Sequence, residues 1–290
     1  MLRRLSCRRG DVVGMVLMVS AFLNPFAARA GTDTPPLQAA PDGRSLTLVF
    51  SDDFQIFRPW TGSDGIWRAT LGDGSQFSRD RRSSVVDDET EQHLHSAAGG
   101  LDPFSIDPFS IDESVLEIIA QPTPLRSGGG IENYPYVSGL ISTQPSFSQT
   151  YGYFEMRAEL PHGKGLWPAF WMLPKDDSWP PELDIVESIG NPSHVFMTAH
   201  SKHGRSAGAE AHITPDVFHT FAVSWDPRNL IWYIDGDEAG RVPTPEDMHK
   251  PMYLLANLAV GGNWPGAPDT STHFPAKLMI DYIRAYRFET

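Results

Sequence analysis

Along the chain, apolar and polar residues alternate in short runs divided by Gly, Pro, Asn and Asp. No stretch of a dozen residues carries the stripe of an amphipathic helix. The runs cover residues 46–50, 115–119, 138–143, 152–160, 166–173, 183–189, 195–200, 220–225, 230–235, 252–260 and 278–288. In a strand every second side chain shares a face, so each run offers one apolar face to bury. Many strands at this spacing, with hairpin signals such as Asp235-Gly236, predict an all-β protein, a sandwich or jelly roll of two antiparallel sheets around a shared core.

The ends of the chain read differently. Arg3, Arg4, Arg8 and Arg9 precede an apolar run at 12–23 that Ala28-Arg29-Ala30 closes, so residues 1–30 are predicted to be a secretory signal. Residues after the Arg8-Arg9 pair match a twin-arginine signal poorly, which favours the general export route and a secreted product, extracellular or periplasmic. Residues 31–44, polar and rich in Pro, are expected to form a flexible leader, and 45–290 a single domain.

Composition narrows the partners. The chain is 290 residues with 40% apolar content, enough for a core, and its one cysteine, Cys7, lies in the signal, so no disulfide is expected. Removing residues 1–30 takes away five Arg and one Asp, leaving 18 basic and 35 acidic side chains and a formal charge of −17. That sign argues against nucleic acid and acidic lipid. No apolar run is long enough to span a membrane, and a monomer is expected.

Candidate chemistry concentrates in Pro181-Glu182-Leu183-Asp184-Ile185-Val186-Glu187-Ser188. Alternation places Glu182 and Asp184 on one face and Leu183 and Ile185 on the other, and would then turn Glu187 into the core at high cost. One extra residue resolves the conflict. A β-bulge around Ile185-Val186 returns Glu187 to its companions' face. The glutamates then stand four strand positions apart, roughly 13 Å between Cα atoms. Side chains leaning together leave about 5 to 6 Å between carboxyl groups, the separation used by retaining rather than inverting glycosidases. A divalent cation site and a merely solvated acidic face are the competing uses of three carboxylates. Upstream, Trp167 and Trp171 share a face with Ala169 and could stack on sugar rings, or could serve the core.

Further segments look plain. Asp-Pro-Phe-Ser-Ile occurs twice, at 102–106 and 107–111, which predicts a duplicated loop segment, and Gly128-Gly129-Gly130 predicts a mobile loop.

Taken together, several motifs resemble glycoside hydrolase family 16, in that family's order. They are Ser138-Gly139, Tyr151-Gly152-Tyr153-Phe154-Glu155-Met156-Arg157, Trp167-Pro168-Ala169-Phe170-Trp171, the Glu182 to Glu187 run, Phe218-His219-Thr220-Phe221 with Trp225, Tyr233-Ile234-Asp235-Gly236, and the run Asn257 to Gly266. The resemblance implies a jelly roll with a concave substrate cleft, and a retaining endo-glycanase of the laminarinase type acting on a polysaccharide. It assigns Glu182 as nucleophile and Glu187 as acid/base, with Asp184 steering the nucleophile and raising the proton affinity of Glu187. By the same resemblance His200 neighbours the acids, and Asn257 and Trp264 contact sugars on the non-reducing side of the cut. Arg157 suits either an active-site carboxylate or a structural ion pair. No cofactor is required, although some members bind a structural Ca²⁺ on the face away from the cleft, for which Asp281 is a candidate ligand. The implied substrate is β-1,3- or mixed β-1,3/1,4-glucan. The run 252–262 instead looks like that of enzymes trimming their producer's own exopolysaccharide. A non-catalytic glucan-binding lectin is the alternative of another class, and retention of both glutamates speaks against it.

Overall fold

The computed structural model describes residues 34–69, 91–93, 104–110, 113–123, 135–204 and 206–289; the signal segment and the triple-glycine loop lie outside the described residues. The described strands are β1 (Leu46–Asp52), β2 (Glu91–His93), β3 (Phe104–Ser110), β4 (Glu113–Pro122), β5 (Tyr136–Ser138), β6 (Leu140–Ser142), β7 (Gly152–Glu159) and β8 (Leu166–Pro174). They continue with β9 (Glu182–Glu187), β10 (His194–His200), β11 (Ala207–His212), β12 (His219–Trp225), β13 (Asn229–Ile234), β14 (Asp237–Pro243), β15 (Met252–Val260) and β16 (Ala276–Phe288). The one helical element described is a single 3₁₀ turn, Glu246–Met248.

Two sheets face each other. The larger runs β14-β13-β12-β7-β16-β4-β5-β2, with β1 added on β16 and β3 on β4; the smaller runs β11-β10-β9-β8-β15-β6. Among the named strands, pairing is antiparallel apart from the short β2–β5 contact. Between them lies one apolar core that takes Phe154, Met156 and Trp232 from the large sheet and Phe170, Met172, Ile185 and Leu258 from the small one.

At the middle of the small sheet, β8 and β15 are buried along their whole length. Their sequences read as near-continuous apolar runs because both faces are covered. One face enters the core; on the other, Ala169, Trp171 and Leu173 pack with Leu140, Tyr253 and Leu255 into a floor beneath the concave side.

Three elements depart from expectation. The duplicated segment is not all loop: residues 104–110, which span parts of both copies, form β3, and among the described residues β3 pairs with β4 at the sheet margin. The second departure is the pair β11 and β14, whose Gly, Ala and charged residues carry little strand propensity. Both are sheet edges, and a Cβ on Gly240 would stand 2.3 Å from the Ala209 Cβ, so the small residues let the two edges approach.

The third is the described part of the leader, residues 34–44, which packs on the outer face of the large sheet where a flexible tail was expected. Arg284 Nη2 donates to the Thr34 carbonyl at 2.7 Å and the Leu37 N–H donates to Tyr286 Oη at 3.2 Å. Ala40 joins a cluster with Leu46, Tyr153, Tyr233 and Tyr286. Its few apolar side chains find an aromatic surface to cover, and that burial outweighs its Pro-rich composition.

Beneath and beside this strap the outer face holds buried charge. Arg157 Nη1 meets Asp281 Oδ2 at 2.5 Å with Phe218 under the guanidinium, and Lys277 Nζ meets Glu117 Oε1 at 2.8 Å. Arg157 therefore serves a structural ion pair. Tyr286 donates to Glu155 Oε1 at 2.9 Å, and burial pushes the Glu155 carboxyl up to about 7.

Candidate active site

The bulge on β9 is present. Against β8, Val186 pairs with Phe170 and Asp184 with Trp171, so Ile185 is the extra residue. Against β10, Glu182 pairs with His200 and Glu187 with Phe196, so five steps on β9 match four on its neighbour. Leu183, Ile185 and Val186 all enter the core, at 0–1% exposure. Glu182, Asp184 and Glu187 are thereby left on the concave side.

A side chain from the opposite sheet braces this bulge. Trp232 on β13, fully buried in the core, donates its indole N–H to the Asp184 carbonyl at 2.9 Å. A buried indole N–H needs a partner, and here the partner is the backbone at the irregular step.

Each acid is held by a ring nitrogen. Trp179 Nε1 donates to Glu182 Oε2 at 3.0 Å, His200 Nε2 lies 3.0 Å from Asp184 Oδ2, and Trp167 Nε1 donates to Glu187 Oε1 at 2.9 Å. The His200 ring is oriented in turn by Ser206 Oγ, 2.7 Å from Nδ1. Trp171 Nε1 donates to Asn257 Oδ1 at 2.7 Å, which aims that amide across β8 and β15. Trp264 meets Trp167, the donor to Glu187, edge-on with ring centroids 5.5 Å apart and is 40% exposed.

All eight residues expected at the site thus come together on one face. Trp167 and Trp171 contribute mainly N–H groups, being 9% and 7% exposed; the open indoles are Trp264 and Trp179. Trp179 was not foreseen, although its place three residues before Glu182 was a usable signal. Its loop is tethered by Lys250, whose ammonium bonds Asp176 at 2.8 Å and Ser178 at 3.1 Å. Trp232 and Ser206 were not foreseen either, since only the fold brings them near.

Glu182, Asp184 and His200 also place ligand-capable atoms within 4.8 Å of one another, a spacing that could hold a divalent ion. Asp281, a candidate ligand for a structural calcium, lies in an ion pair here. Its carboxylate faces the Arg157 guanidinium, a permanent charge that a cation at that position would meet head-on.

Comparison with known proteins agrees with this geometry. The profile for glycosyl hydrolases family 16 matches residues 109–284. Endo-1,3-1,4-beta-glycanase ExsH of Rhizobium meliloti is 38% identical over 261 residues, covering 86% of this chain and 53% of the relative. Endo-1,3-1,4-beta-glycanase EglC of the same organism is 36% identical, covering 95% and 60%. The chain thus spans little more than half the length of these curated relatives. Among solved structures, the endo-beta-1,3-glucanase from Pyrococcus furiosus superposes with a TM-score of 0.73 at 28% identity, covering 88% of this chain and 100% of that one. Fold and acidic site define a jelly-roll glycoside hydrolase, and the chain belongs to glycosyl hydrolases family 16.

Proposed function

We propose that the protein is an exported endo-β-glucanase that cuts β-1,3- or mixed β-1,3/1,4-linked glucan with retention of configuration. The observation that carries this reading is the bulge, which sets Glu182 and Glu187 on one face with Asp184 between them. Glu182 attacks the anomeric carbon while Glu187 gives its proton to the departing glycosidic oxygen. Glu187, now a carboxylate, takes a proton from the water that breaks the glycosyl ester, and Glu182 leaves as a carboxylate. The indole of Trp179 orients the attacking oxygen pair, and the His200–Asp184 contact fixes the residue between the acids. No step needs a metal. The protein acts as a monomer, and the relatives' names as endo-1,3-1,4-beta-glycanases support the substrate class.

One further reading concerns the polymer. A bacterial exopolysaccharide is the alternative natural substrate, on the likeness of the run 252–262 to that of enzymes trimming their producer's own polymer. Product analysis on laminarin, lichenan and an exopolysaccharide panel separates the two. On the preferred polymer, Glu182→Gln is expected to lower kcat by about 10³-fold or more. Parent-like activity in that variant would refute the assignment.

A further inference from the structure

We infer that Phe196, His194 and His212 form a second sugar platform on the concave face, on the side of β9 away from Asn257, which holds the leaving-group portion of the glycan. The inference deepens the endo-glucanase reading and rests on it.

Strand register supplies the first argument. One cross-strand row runs Asn257, Ala169, Glu187, Phe196, Glu210 over β15, β8, β9, β10 and β11. Side chains paired in a row stand on the same face, so the glutamate that protonates the leaving oxygen has Asn257 to one side and Phe196 to the other. On β10 the alternation is strict: Val195 and Met197 enter the core at 0% and 1% exposure, while His194, Phe196, Thr198 and His200 face outward. On β11 Ala209 and Ala211 pack on the core, and Glu210 and His212 stand on the open side.

The rings form a continuous strip. Trp264 meets Phe196 at 4.9 Å between centroids, Phe196 stacks on His194 at 4.7 Å and 25°, and His194 stacks on His212 at 5.1 Å and 26°. Through Trp264 the strip continues to Trp167, the donor to Glu187. It therefore leads without a gap from the reacting centre to the edge strand of the small sheet. Its far end is fixed by polar contacts, with His194 Nε2 3.0 Å from Glu210 Oε2 and His212 Nδ1 donating to the Ser193 carbonyl at 3.0 Å.

Core packing does not account for these rings, since neither Phe196 nor Trp264 joins a hydrophobic cluster. Sugars suit them. A pyranose offers an apolar face to an aromatic edge or face and hydroxyls to imidazole nitrogens. An enzyme that cuts inside a chain must hold sugar on both sides of the bond. Asn257 and the strip over β10 and β11 flank Glu187 on opposite sides of one row, so they take sugar on opposite sides of the bond. Trp264, which touches both Trp167 and Phe196, stands at their junction rather than on the Asn257 side alone.

The test compares two substrates. A reducing-end-labelled laminarihexaose fills both sides of the cut, whereas an aryl laminaribioside leaves only a phenol on the leaving side. In His212→Ala and Phe196→Leu, kcat/KM on the hexasaccharide should fall about tenfold, chiefly through KM, and the position of cutting should move toward the reducing end. The loss on the aryl substrate should be several-fold smaller. Equal losses on both substrates, or an unmoved cutting position in both variants, would overturn the platform while leaving the glutamate roles intact. Failure of the parent to cut either substrate would instead remove the glucanase reading and the platform with it.

Discussion

Two strands, one in each sheet, carry a bulge beside a buried acid, and they handle it in opposite ways. On β9 the extra residue is Ile185, which sinks into the core and keeps the acids facing the cleft, held by indoles and an imidazole. On β16 the extra residue is Asp281 itself, set between Ile280 and Tyr282 and clamped by the Arg157 guanidinium under the outer surface. A full counter-charge spends a carboxylate on stability. Weaker ring donors hold carboxylates in place and leave their charge to act on a substrate.

The comparison can be broken at either bulge. The largest effect on stability is expected from Arg157→Met, which leaves the Asp281 charge buried and should cost about 3–5 kcal/mol in denaturant unfolding. The folded fraction should retain parental kcat. Because Arg157 already meets the Asp281 charge, neither added Ca²⁺ nor EDTA should shift the Tm of Glu182→Ala, in which the Glu182, Asp184 and His200 cluster is dismantled. A Ca²⁺-dependent rise in that variant would show that the outer face needs an ion after all.

Next comes the pH dependence of the outer face. Burial raises Glu155 from its ordinary 4.5 to about 7, against the Tyr286 hydrogen bond and the nearby Arg284 charge. A folded pKa above the unfolded one stabilises most below pH 4.5, and that contribution is lost as pH rises through 7. Stability should therefore drop by about 3 kcal/mol across this window, and Glu155→Gln should abolish the drop. Identical pH profiles for variant and parent would contradict the account.

The smallest effect, and the most selective, belongs to Trp232→Phe. It keeps an aromatic ring in the core but removes the donor to the Asp184 carbonyl, which should cost about 1–3 kcal/mol. On the account given, kcat should fall about tenfold with KM changed less than twofold, since the bulge then holds Asp184 and Glu187 less firmly. Loss of stability with unaltered kcat would make Trp232 a core residue and nothing more.

How far such features can be read in advance depends on the range of the interaction. The β9 bulge was legible because alternation forced a choice between burying Glu187 and inserting a residue, a conflict contained within eight positions. Asp281 offered no such signal, since its partner lies 124 residues away on β7. Trp232 looked like any core indole because its acceptor is a backbone atom 48 residues distant. The edge strands β11 and β14 escaped notice because pairing with a neighbour, rather than their own composition, holds them in place. The leader misled for a related reason: its Pro and polar residues suit a tail until an aromatic face is available to receive Leu37 and Ala40.

Chemical rescue puts the roles of the two glutamates to the most direct test. Azide added to a Glu187→Ala variant acting on an aryl glycoside should restore turnover and give the β-glycosyl azide, because azide enters in the second displacement from the face that water uses. In Glu182→Ala it should give the α-azide, because azide replaces the missing nucleophile. The same anomer from both variants, or rescue of neither, would contradict the claim that the bulge on β9 places two opposed carboxylates about one sugar bond.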